Sequence, residues 1–346
     1  MVNLQNLETY KNKMLEINLD KIVENWKSIG KKTGVKAAAV LKANAYGMGA
    51  EEISKALENA GCDTFFVIHP EEGIKLRKTI KKGKIYILGG PEKEAVKDMK
   101  ALKLTPVINS KQQAMLWGKN DACAVHLFTG MRRYSMPENE WVDVKKMGLN
   151  IDLLMSHLAC ADEKNHPMNA LQRENFIRLT EGFKGVRRAL AASEFETLGS
   201  DFFFDMIRPG YYMYDSAVNL NLKIRQVQQV KKGDPVGYNN TFTFKKDGKM
   251  ATVFMGYADG LPRIAQNEGL YGYIGDYKVP LVGRISMDIS TFDISEVPDK
   301  IIEKEGRIEL IGKHISLKEM GKNIGSIGYE VLTNLRLREG KTYTCM

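Results

Sequence analysis

Residues 37–49 read AAAVLKANAYGMG: small apolar side chains run from Ala37 to Leu41 and stop at Lys42, and Gly47 and Gly49 then lead into a helical pattern from Glu51. A short apolar stretch bounded by glycine predicts a fully buried strand. Lys42 then stands where a parallel strand delivers its side chain to the mouth of a barrel or sheet. A lysine in partly apolar surroundings favours its neutral amine, and a neutral amine can form a Schiff base with an aldehyde. A strand-end lysine can equally reach water, so the choice between the two rests on the rest of the chain.

Up to about Tyr214, apolar runs at 14–17, 37–41, 64–68, 84–88, 105–108, 124–128 and 153–157 alternate with charged stretches of helical spacing, such as 70–81 and 168–183. This rhythm predicts βαβ units and a parallel sheet. Seven or eight such units in about 200 residues suit a (β/α)8 TIM-type barrel better than a doubly wound sheet. No G-x-G-x-x-G follows a strand and opens a helix, so a dinucleotide site is unsupported. After about Leu220 the segments shorten and become β-rich: 225–230, 241–245, 249–255, 271–274, 278–282, 289–294 and 307–311. Turn signals such as Lys246-Asp247-Gly248 and Pro298-Asp299 separate them, and a short helix is expected at 317–322. The organisation expected is a barrel over 12–224 and a C-terminal mostly-β domain over 225–346, with residues 1–11 packing with the latter.

A chain of 346 residues is comfortable for two domains. The formal net charge of +9 comes from scattered lysines and arginines, as at 75–84 and 93–103, without interleaved aromatics. That distribution reads as solvated helix faces and implies no nucleic-acid partner, though it suits attraction of an anionic metabolite. No apolar stretch is long enough to span a bilayer, and the N-terminal residues lack the apolar core of a secretory signal, so no membrane partner is expected. Cys62, Cys123, Cys160 and Cys345 are widely spaced, without ligand spacing, which predicts no metal site and free thiols in a cytoplasmic protein.

The segment AAVLKANAYGMGA (38–50) resembles the cofactor-lysine motif of alanine racemases, the pyridoxal phosphate (PLP) enzymes of bacterial cell-wall metabolism. The resemblance implies that Lys42 carries PLP and that Tyr46 hydrogen-bonds its phosphate; Asn44 and Met48 stand where Asp and His are usual. GDPVGYNNTFTF (233–244) is similar to the catalytic-tyrosine motif, with Tyr238 in that role and Asn239-Asn240-Thr241-Phe242 departing from the usual residues after it. Racemisation removes a proton from one face and returns one to the other, so two acid–base groups, here Lys42 and Tyr238, must flank the substrate while PLP supplies the electron sink.

Further matches follow in the family's order. MIRPGYYMYD (206–215) implies that Arg208 faces the pyridine nitrogen and that Gly210 and Tyr211 offer amides to the phosphate. LFTGMRRYSM (127–136) places Arg133 on the arginine that contacts the PLP phenolic oxygen and the substrate carboxylate, with Arg132 replacing a usual glycine. His126 stands where a carbamylated lysine is often found. By the same resemblance, His157 hydrogen-bonds the pyridine-facing arginine, and Ser193 binds phosphate, with Ala192 before it in place of Asn. MGYADGLPR, VGRISMD and IGYEVLTNL imply that Tyr257 guards the substrate entrance, Met287 and Asp288 line the carboxylate end, and Tyr329 binds the PLP phosphate.

The family architecture, a barrel followed by a β domain, implies a homodimer in which the tyrosine of one subunit reaches the lysine of the other. The expected activity is PLP-dependent interconversion of L- and D-alanine, supplying D-alanine for peptidoglycan. Alternatives are a racemase of another or broader amino-acid range, a barrel-type PLP decarboxylase, and a non-catalytic PLP-homeostasis protein. Arg208 and Tyr238 stand where such decarboxylases place an acid and a cysteine, and the homeostasis proteins lack a β domain.

Overall fold

The structure, a computed structural model, describes residues 13–335 and 340–345; the expectation for residues 1–11 lies outside them. The described residues form two compact units, Lys21–Tyr214 and a second made of those before Lys21 together with those from Asp215 on.

In the first unit, seven parallel strands pair in chain order: Ala39–Val40, Thr64–Val67, Lys84–Ile87, Leu104–Ile108, Ala122–His126, Asn150–Met155 and Arg187–Ala189. The short strand Met206–Ile207 closes the circle. It pairs parallel with Lys36–Ala37, and Ala38 N donates to Ile207 O (2.9 Å). On its other side Asp205 N donates to Arg188 O (3.0 Å) and Arg208 N to Ala191 O (3.1 Å). The result is a (β/α)8 barrel, with helices such as Ala50–Asn59, Pro70–Thr79 and Pro167–Thr180 outside it. The strand at 64–67 is buried at every position, as a sheet covered on both faces demands.

The barrel interior is packed by Ala38, Val40, Phe66, Tyr86, Val107, Ala124, Leu153, Met155, Ala189 and Met206. These are alternate residues of successive strands, because side chains along a strand point in turn to opposite faces. Phe66 and Tyr86 stack with ring centres 4.8 Å apart. At the amino ends of the strands, Asp152 accepts from Tyr86 Oη (3.0 Å) and from Lys84, and Arg187 donates to Tyr86 Oη (2.8 Å). Partners on three strands satisfy these polar groups at the floor of the barrel, away from the end where such folds do chemistry.

The second unit is built on the long strand Val218–Val230. Its first half pairs antiparallel with Lys13–Asn18 and Arg307–Ile311, and from Ile224 on, with a bulge between Ile224 and Gln226, it pairs antiparallel with Gly248–Val253. The neighbours Ser290–Asp293, Tyr277–Val282 and Tyr271–Ile274 complete a ring back to Arg307–Ile311. Val230, Val236, Phe244 and Val282 form part of its core.

Two features differ from the sequence reading. The run at 14–17 belongs to the β unit and not to the barrel: it pairs antiparallel with 218–222 and parallel with Thr342–Thr344. The β unit also begins at Asp215 and not at 225, because one continuous strand carries the chain across that point. The helix expected at 317–322 is Leu317–Asn323, and Asp299–Glu305 and Gly328–Asn334 are further helices.

Candidate active site

Lys42, His126, His157 and Arg208 each lie two residues beyond an inward-facing core residue of their own strand, namely Val40, Ala124, Met155 and Met206. The period of two thus carries polar side chains to the carboxyl end of the barrel, the end where barrel enzymes place their chemistry. Their charges bear on one another. Burial and the Arg133 guanidinium push the Lys42 ammonium down, against the Glu72 carboxylate, so the neutral amine is more accessible than in free lysine. Burial, then Arg208 and Arg133, hold His157 down to about 3, with His126 and Lys42 adding to the effect. Burial, Arg208 and Arg133 likewise hold His126 down to about 3, against a hydrogen bond to the Tyr134 backbone. Both imidazoles are therefore neutral near pH 7.

The chain turns sharply after Lys42. Ala43, Asn44, Ala45 and Tyr46 all have φ between 53° and 55°, four successive left-handed non-glycine residues in a turn that Gly47 completes at φ 81°. Such backbone costs roughly 1–2 kcal/mol per L-residue, so other interactions must hold it. Ala45 N donates to Leu41 O (2.8 Å) and Gly47 N to Ala43 O (2.7 Å). Asn44, one of the departures from the family pattern, suits the left-handed region, and its Oδ1 accepts from Ala50 N (2.9 Å) where the next helix starts.

Tyr46 is buried with its ring 5.5 Å from that of Tyr214, and burial raises its phenol. It faces Gly210 so closely that a Cβ there would come within 2.0 Å of the Tyr46 Oη. Ser193 Oγ accepts from Gly210 N (2.9 Å) and Tyr212 N (3.4 Å). Tyr46, Ser193, Gly210 and the turn Tyr211–Tyr214 thus form one cradle of hydroxyls and backbone amides, groups that suit a phosphate. Gly210→Ala is expected to weaken retention of PLP at least tenfold and to cost about 1–3 kcal/mol in stability through overpacking. Equilibrium dialysis and thermal unfolding read the two effects, and unchanged retention would contradict the cradle.

Arg208 is 4% exposed; burial pushes it down to about 10, so it stays cationic at neutral pH. Its Nη2 donates to Ser156 O (2.6 Å) and Leu190 O (3.4 Å), while Nη1 has no hydrogen-bond partner among the described residues. An orphaned buried guanidinium nitrogen is costly unless a ligand supplies the acceptor. The hydrogen bond expected from His157 is replaced by these carbonyls; His157 acts on Arg208 only through space, and its own carbonyl accepts from Gln172 Nε2 (2.9 Å).

Arg133 sits on the 128–136 loop, which is bound to its strand by Met136 N to His126 O (2.7 Å) and Phe128 N to Met136 O (2.9 Å). His126 Nδ1 lies 3.2 Å from Asn109 Oδ1. Tyr134 Oη donates to Gly89 O (2.9 Å), and Gln113 Nε2 donates to both Gly89 O (2.8 Å) and Tyr134 Oη (3.0 Å). Arg132, standing in place of a glycine, lies 5.4 Å from the Phe128 ring centre. The supporting residues Glu72, Asn109, Gln113, Tyr134 and Gln172 were not singled out from the sequence. Only Glu72 carried a signal, as the third residue of a helix with Pro70 at its start, and that pattern reads first as a helix cap.

In the β unit three loops converge. Tyr238 is 68% exposed on the turn Tyr238–Asn240, where Asn239 and Asn240 have φ of 60° and 46°. Asparagine tolerates that conformation, which accounts for its presence beside the tyrosine. Tyr257 N donates to Ser286 O (3.1 Å) and Ala258 N to Met287 O (3.1 Å), which pins the Tyr257 turn onto the segment carrying Met287 and Asp288. Only glycine fits at 256, since a Cβ there would come within 2.3 Å of the Ser286 and Met287 carbonyl oxygens. Tyr257 and Met287 are exposed, and Tyr329 sits, half-buried, on the helix Gly328–Asn334.

A barrel mouth with a perturbed lysine, a buried arginine whose Nη1 lacks a partner among the described residues, and a hydroxyl-and-amide cradle fits a phosphorylated pyridine aldehyde, and these features define a PLP-dependent barrel enzyme. The alanine racemase N-terminal domain matches residues 17–217 and the alanine racemase C-terminal domain residues 217–343. An alanine racemase of Ruegeria sp. (strain TM1040) is 39% identical over 95% of this chain and 98% of its own, and one of Rhizobium meliloti is 36% identical over 95% and 96%. The crystal structure of alanine racemase from Bartonella henselae with covalently bound pyridoxal phosphate superposes with a TM-score of 0.89. It is 29% identical and covers 97% of this chain and 100% of that one. The chain belongs to the alanine racemase family.

Proposed function

We propose that this protein interconverts L- and D-alanine with bound PLP, using Lys42 and Tyr238 as proton-transfer groups on opposite faces of the substrate. The observation that carries the reading is Arg208. Its cationic guanidinium leaves Nη1 unsatisfied among the described residues in the barrel mouth near His157, and it can only donate, so a ring nitrogen placed there stays unprotonated. When bound, PLP supplies the electron sink that acidifies the α-proton. Lys42 Nζ holds or accepts a proton on one face, and the Tyr238 hydroxyl does so on the other. Tyr46, Ser193, Gly210, Tyr211 and Tyr329 bind the phosphate, while Arg133, Met287 and Asp288 bind the substrate carboxylate end. Tyr257 narrows the entrance, and neutral His157 lines the site near Arg208.

Tyr238 is exposed on its own subunit, as suits a residue that completes the site of a second copy. Two copies would then form an isologous dimer with two shared sites. Among the described residues no helix is long and apolar enough to cross a membrane. A cytoplasmic enzyme that supplies D-alanine to the cell wall fits this reading.

The test is a chiral assay of the PLP-loaded protein over a panel of L-amino acids, combined with sedimentation across the same concentrations. D-alanine is expected to form fastest, with activity falling as the dimer dissociates. No D-alanine from L-alanine would refute the reaction; full activity where only monomer sediments would refute the shared site.

A further inference from the structure

The left-handed turn after Lys42 is held at its entrance by a side chain from another part of the barrel. Glu72, in the first turn of Pro70–Thr79, directs its carboxylate across the ends of two neighbouring strands. Its Oε1 accepts from Ala43 N (2.6 Å), directly after Lys42. Its Oε2 accepts from Ile68 N (2.9 Å) and His69 N (3.2 Å), where the strand Thr64–Val67 ends. One anion thus satisfies three backbone donors, each bond strengthened by the charge. Four successive left-handed residues without glycine persist only when their surroundings dictate them, and released they would return to ordinary backbone and carry Lys42 with them.

We propose that Glu72 is a positioning residue for Lys42: its carboxylate clamps the left-handed turn so that the amine is held in the barrel mouth, and its charge balances the ammonium when Lys42 takes up a proton. The proposal rests on Lys42 being the cofactor-bearing lysine. The charged and titratable groups bearing on Lys42 are Arg133, from the loop after Ala122–His126, neutral His157, from the end of Asn150–Met155, and Glu72. Arg133 and burial favour the amine, and among the described residues Glu72 is the group that favours the ammonium. Removing its charge must therefore extend the neutral form of Lys42 to lower pH.

The test uses the full-length PLP enzyme and its Glu72→Gln variant, close to isosteric but uncharged. In the unmodified enzyme, the peptide 41–49 should exchange its amide hydrogens slowly; fast exchange there overturns the proposal without any variant. In Glu72→Gln that exchange should rise at least tenfold and kcat should fall about 10- to 100-fold, as expected for a misplaced catalytic group. The acid limb of kcat should also move to lower pH in the direction in which Lys42 is the base. Glu72→Asp keeps the anion on a shorter arm and should speed exchange without moving the limb. A fall in kcat with neither faster exchange nor a moved limb overturns the proposal, and so does unchanged kcat. Borohydride reduction of the unmodified enzyme is the separate check: if PLP is not fixed to Lys42, the assignment of Lys42 fails and the clamp with it.

Discussion

Lys42→Ala is expected to abolish racemisation in both directions, lowering kcat by about 10⁴-fold or more, because it removes a proton-transfer group together with the amine that anchors PLP. The effect is specific because the other elements of the site do not depend on the Lys42 side chain. Arg208 is held by the Ser156 and Leu190 carbonyls, and the cradle by Ser193, Gly210 and Tyr46. The variant should therefore still take up PLP, with lower affinity, while borohydride no longer fixes it to the protein. Mass analysis of the 41–49 peptide reads the fixation and a chiral assay the turnover. Racemisation within tenfold of the unmodified enzyme would remove Lys42 from the mechanism. Burial and Arg133 lower the Lys42 ammonium, so at any given pH more of it is neutral amine than in free lysine.

Tyr238→Phe is expected to lower racemisation in both directions by about 10²–10⁴-fold, the usual worth of one acid–base group. The ring stays and only the hydroxyl goes. Because Tyr238 is exposed, unfolding stability should change by less than about 0.5 kcal/mol. The diagnostic result is an uncoupling: in deuterium oxide, the enantiomer whose proton faces Lys42 should still exchange that proton without inverting, since Lys42 can remove and return it on one face. Equal losses of exchange and inversion for both enantiomers would contradict a division of labour between two faces.

Much of the barrel was readable because its evidence is local. A buried parallel strand is a short apolar run, as in Ala37–Leu41 or Thr64–Ile68, and an amphipathic helix is a spacing, as in 168–183. The strand Lys13–Asn18 was misplaced for the same reason, since an apolar run looks alike whichever sheet it joins. The helix Gly328–Asn334 was not read because glycine, β-branched and aromatic residues give it weak intrinsic preference, and packing decides. In the site, Lys42, Arg208 and Tyr238 stood out because each lies within a distinctive run of neighbours. Glu72, Asn109, Gln113 and Gln172 did not, because each acts on backbone groups remote in sequence.

Short apolar runs, and the lysine and arginine that follow two of them, are legible in the chain alone. Those facts are written in side-chain type and in a period of two. Folding is what makes the turn after Lys42 left-handed, gives Arg208 two carbonyl partners with one nitrogen left over, and brings Gly210 against Tyr46. Each depends on partners at least 18 residues away, such as Arg208 to Leu190 at 18, Glu72 to Ala43 at 29 and Arg208 to Ser156 at 52. No local preference encodes such a distance; barrel closure brings those atoms together, and the hydrogen bonds then outweigh what the backbone would choose alone.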